Sequence, residues 1–261
     1  ESAQEKPSLT KEKTTDSKVT AGTLPCRKPA SPLPIAEFFY ILRRMKPKHY
    51  IREVRRFLKS LSEDNAYIIS GLGRCGTTLM QFALIESRGL IKSRSFLSRF
   101  SDEKNFVKGT LYKTHSAPPA TLPPHVKLVF MFGDPMNAAL SGYKEFSKEN
   151  DKHFQHIGAS EVPEREQIFS RDVLLLEQHF DAWYQRQGFD FISVRYETLY
   201  AEETQSMLAE YLGFTLKLPP YRQRSTDWRQ HERRDELANT YAGIGSKIEA
   251  AADCQIWLGK G

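Results

Sequence analysis

YIISGLGRCGTTLMQFAL, residues 67–84, places a short apolar run, a glycine-rich turn and a helix start in immediate succession. Tyr67–Ser70 predicts a buried strand. Gly71, Gly73 and Gly76 let the following backbone curl so that its N–H groups point at an anion. Thr77 and Thr78 open a helix whose dipole adds about half a positive charge at that end. Leu79, Phe82 and Ala83 are the positions expected to pack this helix on a sheet. The loop form that binds nucleoside triphosphates needs a lysine where this chain has Thr77, and Arg74 stands inside the loop instead. An ordinary glycine-rich strand–helix turn with no ligand reads the same way locally.

Outward from this stretch the chain alternates. Apolar runs at Tyr67–Ser70, Leu111–Thr114, Lys127–Phe132 and Phe191–Val194 read as strands. Helical patterns fall at Thr77–Ser87, Pro135–Ser147, Arg171–Gln187 and Glu202–Leu212. The alternation predicts an α/β fold of three layers, a central parallel sheet between helices. There is no internal repeat. Nothing after Leu216 reads as regular sheet, and the basic segment KLPPYRQRSTDWRQHERRDELANTYAGIGSK reads as a loop or helix covering the site.

Residues 1–34 are rich in Lys, Thr, Ser and Pro and poor in large apolar side chains, so they read as a flexible tail, with one domain over 35–261. Ile35, Phe38, Phe39 and Leu42, then Ile51, Val54 and Phe57, recur at helical spacing, and Pro47 separates the two helices. Arg43, Arg44, Arg52, Arg55 and Arg56 read as a solvated basic face on these packed helices; an anionic membrane or an acidic partner is the other use of such a face.

The 261 residues suffice for one large domain, and 39% hydrophobic with 27% charged residues is ordinary for a soluble protein. The three cysteines, Cys26, Cys75 and Cys254, are widely spaced and form neither a disulfide framework nor a zinc pattern. No apolar run approaches a membrane span of ~20 residues. A reducing, cytoplasmic compartment is expected; the Golgi lumen is the alternative if the N-terminus has been truncated. The net charge of +6 suits an anionic ligand, and no nucleic-acid-binding signature accompanies it.

Two further segments bear on chemistry. GTLYKTHSAPPATLP puts Lys113 and His115 at the end of a predicted strand, two residues apart and so on one side. A histidine there accepts a proton from a hydroxyl near neutral pH, and a neighbouring cation stabilises developing negative charge. A structural histidine is the plain alternative. In KLVFMFGDPMNAALSGYKEF a strand leads through Gly133-Asp134-Pro135 into a helix; Asp134 caps it, Pro135 suits its first turn, and Ser141 shares a side with Asn137.

Taken together, GRCGTT (Gly73–Thr78), KTH (Lys113–His115), GDPMNAALSGY (Gly133–Tyr143) and RYETL (Arg195–Leu199) resemble, in order and spacing, the motifs of the sulfotransferase family that uses 3′-phosphoadenosine 5′-phosphosulfate. The resemblance covers about half the chain, Tyr67 to Leu199. It implies a P-loop-like fold whose loop holds the 5′-phosphosulfate through Gly73, Arg74, Cys75, Gly76, Thr77 and Thr78. It implies His115 as general base, Lys113 and Arg74 as the cations beside the transferring group, Ser141 as a 3′-phosphate contact and Tyr196 as an aromatic near the adenine. The donor would be 3′-phosphoadenosine 5′-phosphosulfate, leaving 3′,5′-adenosine bisphosphate, with no metal. The acceptor would be a small molecule or carbohydrate bearing a hydroxyl or amine.

The sequence departs from that pattern in places. Where the family has R-D-P this chain has Gly133, which removes an arginine from the 3′-phosphate site. No R-K-G-x-x-G segment is evident, and Arg222, Arg224, Arg233, Arg234 and Lys247 are the candidates to replace the charge. Some branches take their base from an acid after the loop, so Glu86, Asp102 and Glu103 compete with His115. Phe100, Phe146, Phe154 and Trp228, with the loops Phe96–Asn105 and Phe146–Glu161, are candidates to line an acceptor pocket or simply the core. A P-loop kinase or NTPase and a non-catalytic nucleotide-binding scaffold remain the other readings.

Overall fold

Ala66–Gly71 forms β1, and all six residues are buried because the strand lies in the middle of a sheet with helices on both faces. The computed structural model describes residues 47–93, 97, 100, 106–146, 154, 157, 161–184, 188–225 and 227–259. The expected tail over 1–34 and the helix expected from Ile35 lie outside the described residues. The described residues belong to one unit, Lys46–Gly261.

The sheet comprises β1, β2 (Ile91–Lys92), β3 (Thr110–Lys113), β4 (Val126–Phe132), β5 (Phe191–Arg195) and β6 (Cys254–Trp257), in the order β2-β3-β1-β4-β5-β6. β1 to β5 run parallel; Ile69 pairs with Lys113 on one side of β1 and with Val129 on the other. After β1 the chain moves to one side of it, and after β3 it crosses to the other. The carboxyl end of β1 is therefore a switch point, where open α/β sheets leave a crevice for ligands.

β6 corrects the expectation that no sheet follows Leu216. It pairs antiparallel with β5, so the sheet is parallel except at this edge. Four residues carry too little alternation to announce a strand. What recruits them is the open edge of β5: the Trp257 ring stacks on Phe191 with centroids 5.9 Å apart, and its Nε1 donates to Ser193 Oγ at 2.9 Å.

Strand alternation divides the interior into two cores. Ile68, Tyr112, Leu128, Phe130, Phe132 and Phe191 face α3 (Pro135–Lys144), α4 (Leu176–Trp183), α6 (Arg234–Thr240) and α7 (Ala242–Ala250). Tyr67, Ile69, Leu111, Val129, Met131, Ile192 and Val194 face α2 (Thr77–Arg88) and α5 (Glu202–Leu212). This is the three-layer α/β/α arrangement. Trp183 anchors the first core, stacked on Phe130 at 5.4 Å; truncating such a residue costs about 3–5 kcal/mol.

Three helix details differ from the sequence expectation. α2 buries Thr77, Met80, Gln81, Ala83 and Leu84; Ala83 packs inward as expected and Leu79 partly so, whereas Phe82 is 63% exposed. The left-handed Gly76 that starts the helix sets its phase, and the i, i+3, i+4, i+7 stripe from Thr77 faces the sheet. α4 begins at Leu176 rather than Arg171 because Leu175 takes φ 52°, which no helix can contain. In α1 (Pro47–Ser62), Ile51, Leu58 and Leu61 lie exposed, while Arg56 turns inward and donates to Thr110 Oγ1 at 3.1 Å and Tyr112 OH at 2.9 Å. Arg56 thus belongs to the packing of α1 against β3 rather than to a solvated face. Among the described residues no helix is long and apolar enough to cross a membrane.

Candidate functional site

The loop after β1 is held in shape by close approach. A Cβ on Gly71 would lie 2.3 Å from Met131 O, so only glycine lets Leu72 N donate to that oxygen at 2.9 Å. Cys75 N donates to Leu72 O at 3.3 Å and closes the turn. Gly76 takes φ 81°, and a Cβ there would fall 2.2 Å from Tyr196 Cδ2. The first turn of α2 has no side-chain cap, and its first internal bond is Met80 N to Gly76 O at 3.0 Å. The amides before Met80 are the donors that helix N-termini offer to anions.

Arg74 takes φ 66°, a left-handed conformation for a non-glycine residue, and strain of this kind gathers at ligand sites. Its carbonyl accepts from Arg224 Nη2 at 2.7 Å. Its side chain crosses to α3, where Nε donates to Ser141 Oγ at 3.1 Å and Nη2 to the Glu145 carboxylate.

Lys113, the last residue of β3, donates from Nζ to Thr78 Oγ1 at 2.9 Å. A cation from the neighbouring strand therefore sits against the start of α2. Burial lowers the Lys113 ammonium to about 8, helped by the nearby charges of Lys92 and Arg74. His115 is buried, and its Nδ1 lies 2.7 Å from Gly71 O. A carbonyl only accepts, so Nδ1 carries a proton, and in the neutral ring Nε2 is then the acceptor.

These groups share one cleft of about 610 Å3, which also takes in Gly76, Thr77, Ser141, Tyr196 and Arg224. Gly73 and Cys75 do not line it. The Cys75 side chain is buried with Leu72 in the first core, and burial pushes its thiol up to about 12. Glu86 lies exposed on α2 away from the cleft, and Asp102 and Glu103 lie outside the described residues. Of the four aromatics, Phe146 and Phe154 line the cleft, whereas Phe100 packs on Trp183 at 5.9 Å and Trp228 Nε1 donates to Asp134 at 3.1 Å.

The surroundings of Gly133 show why glycine stands there. A Cβ would come within 2.8 Å of Glu197 Oε2 and 3.2 Å of Tyr196 Cβ. Glu197 Oε1 accepts from Asp134 N at 3.2 Å and from Arg224 Nη1 at 3.3 Å. Arg224, whose guanidinium lies 4.9 Å over the Tyr196 ring, thus reaches the cleft from the C-terminal segment, held by the carboxylate that packs against Gly133. Of the five replacement cations considered, Arg224 alone lines the cleft. Arg233 is tied to Glu166 and Glu236, Lys247 to Asp181 and Glu177, Arg234 to Asp235, and Arg222 lies exposed.

Asp134 caps α3 as expected, accepting from Asn137 N at 2.8 Å. Sequence reasoning passed over Glu145 and Glu197. Glu145 is one turn beyond Ser141, and that i, i+4 spacing was a signal for it; Glu197 stands in the RYETL segment beside Tyr196, but its contacts to Asp134 and Arg224 join segments far apart in the chain. Among the described residues no group of three His, Cys, Asp or Glu side chains converges in a way that could hold a metal ion. Set against known proteins, the chain matches no family profile, no curated protein and no solved structure.

Proposed function

We propose that this cleft binds 3′-phosphoadenosine 5′-phosphosulfate and that the protein transfers its sulfonate to a hydroxyl or amine acceptor. The observation that carries this reading is convergence: Arg74, Thr77, Thr78, Lys113, His115, Ser141 and Tyr196 come from separate segments and line one cleft at the carboxyl edge of the sheet. Its chemistry suits an anion, with uncapped helix amides, the cations Arg74, Lys113, Lys144 and Arg224, and a histidine whose Nδ1 is held on a backbone carbonyl.

When bound, the donor supplies a sulfonate on a nucleotide phosphate leaving group. The amides of α2 and the Thr78 hydroxyl would hold the 5′ end. Lys113 and Arg74 would balance the charge that builds there during transfer. His115 would take the acceptor proton on Nε2, while its Nδ1–H bond to Gly71 O keeps the ring oriented. Ser141 and Arg224 would hold the 3′-phosphate, Arg224 standing in for the arginine absent at Gly133.

Thermal unfolding with 3′,5′-adenosine bisphosphate against Mg-ATP tests the binding half. The bisphosphate at ~100 times its Kd should add about 2.7 kcal/mol of stability. A shift with Mg-ATP and none with the bisphosphate would overturn the reading in favour of an NTPase or kinase. Transfer of labelled sulfonate to an acceptor panel tests the chemistry. His115→Gln should lower kcat by about 10²–10⁴ while leaving bisphosphate affinity within a fewfold; unchanged turnover would remove His115 from the chemistry, and bisphosphate binding with no transfer to any acceptor would leave a scaffold as the better account.

A further inference from the structure

We propose that Glu145 competes with the ligand's anion for Arg74, and so sets the threshold an anion must exceed to hold the loop. This rests on the reading that the loop binds the anionic end of a nucleotide. Glu145 caps the C-terminus of α3 one turn beyond Ser141. From there its carboxylate takes Arg74 Nη2 while Ser141 Oγ takes Nε, so two edges of the guanidinium fork are spent within the protein.

Glu145 is the one carboxylate among the described residues that line the cleft; Arg74, Lys113, Lys144 and Arg224 are its cations. The placing of that carboxylate is therefore specific. The Arg74 backbone cannot follow a ligand, because it is held at φ 66° with its carbonyl on Arg224. Only the side chain can turn. An incoming phosphate or sulfate engages Arg74 by displacing Glu145, whose side chain is 62% exposed and can leave into water. An exposed pair of this kind is weak, so the competition is set to be lost to a ligand with several contacts and won against a single small anion.

Calorimetric titration of the full-length protein with inorganic pyrophosphate and with 3′,5′-adenosine bisphosphate tests this in wild type, Glu145→Gln, Arg74→Gln and the double variant. Glu145→Gln is expected to tighten both probes by about three- to fivefold. In the Arg74→Gln background the same change should alter affinity by less than twofold, because the competition has lost its object. Equal affinity in wild type and Glu145→Gln would overturn the proposal while leaving the loop's anion binding intact. An equal gain with and without Arg74 would also overturn it, reducing Glu145 to a contribution to the general field. If neither wild type nor Glu145→Gln bound either probe, the reading of the loop itself would fall, and this proposal with it.

Discussion

Lys113 ties the cleft's chemistry to pH in a way that can be worked through. Its ammonium is lowered to about 8, first by burial and then by Lys92 and Arg74. A dianionic ligand beside it favours the charged form and draws the value up again. Binding then takes up about 0.1 proton at pH 7, 0.5 at pH 8 and 0.9 at pH 9 through this group. Affinity should fall about tenfold from pH 7 to pH 9, approaching tenfold per unit above that. The ligand's own phosphates add little in this range, since their second ionisation lies near 6. Titration calorimetry with 3′,5′-adenosine bisphosphate in buffers of different ionisation enthalpy reads the proton uptake directly. Lys113→Arg keeps the charge at all these values and should flatten the profile. Absence of uptake at pH 8, or a slope that survives in Lys113→Arg, would refute the reasoning. The sign for stability is opposite to that of a stabilising pair. The folded value lies below the ordinary 10.5, so between about 8 and 10.5 the unfolded chain holds the extra proton. Stability therefore rises with pH across that window, and Lys113→Met should stabilise the unliganded protein at pH 7 by a few kcal/mol while weakening the anion.

Other consequences follow from single contacts. Gly133→Ala brings a methyl within 2.8 Å of Glu197 Oε2. It should release Arg224 and weaken bisphosphate binding by roughly tenfold to a hundredfold, read by the same calorimetry; unchanged affinity would separate Arg224 from the ligand. Arg195 donates to Ala251 O at 2.7 Å and to Ile248 O, and pairs with Asp253 at 2.9 Å. Arg195→Met should cost about 2–3 kcal/mol, a Tm fall of roughly 5–10 °C in differential scanning calorimetry. Cys75, buried and with its thiol pushed up to about 12, should resist iodoacetamide at pH 8 in the native protein and react in denaturant. Peptide mass spectrometry would show whether it does.

Much of the scaffold was legible along the chain because its signals are local. The apolar runs of β1, β3, β4 and β5 are long enough to show, Pro135 and Asp134 mark the start of α3, and Gly71 and Gly76 mark turns only glycine can make. β6 was not legible, since four residues become a strand only where β5 offers an edge. The phase of α2 was misread at Phe82 because the apolar pattern alone does not reveal which stripe meets the sheet. In the cleft, His115, Lys113 and Ser141 could be named from their neighbours in sequence, but their partners could not. Arg74 is joined to Ser141 and Glu145 on another helix, and the ammonium that meets Thr78 comes from a residue on an adjacent strand.

The residue order alone therefore determined the α/β class, the glycine-rich turn after β1 and the identity of most groups that line the cleft beside it, because propensity, turn chemistry and periodicity act over a few residues. Gly133 marks where that reach ends. In sequence it is a missing arginine; in three dimensions it is the space through which Glu197 holds Arg224 against the loop. Which of many basic residues comes to the loop depends on contacts between segments far apart in the chain, and only close packing of the folded sheet edge selects one.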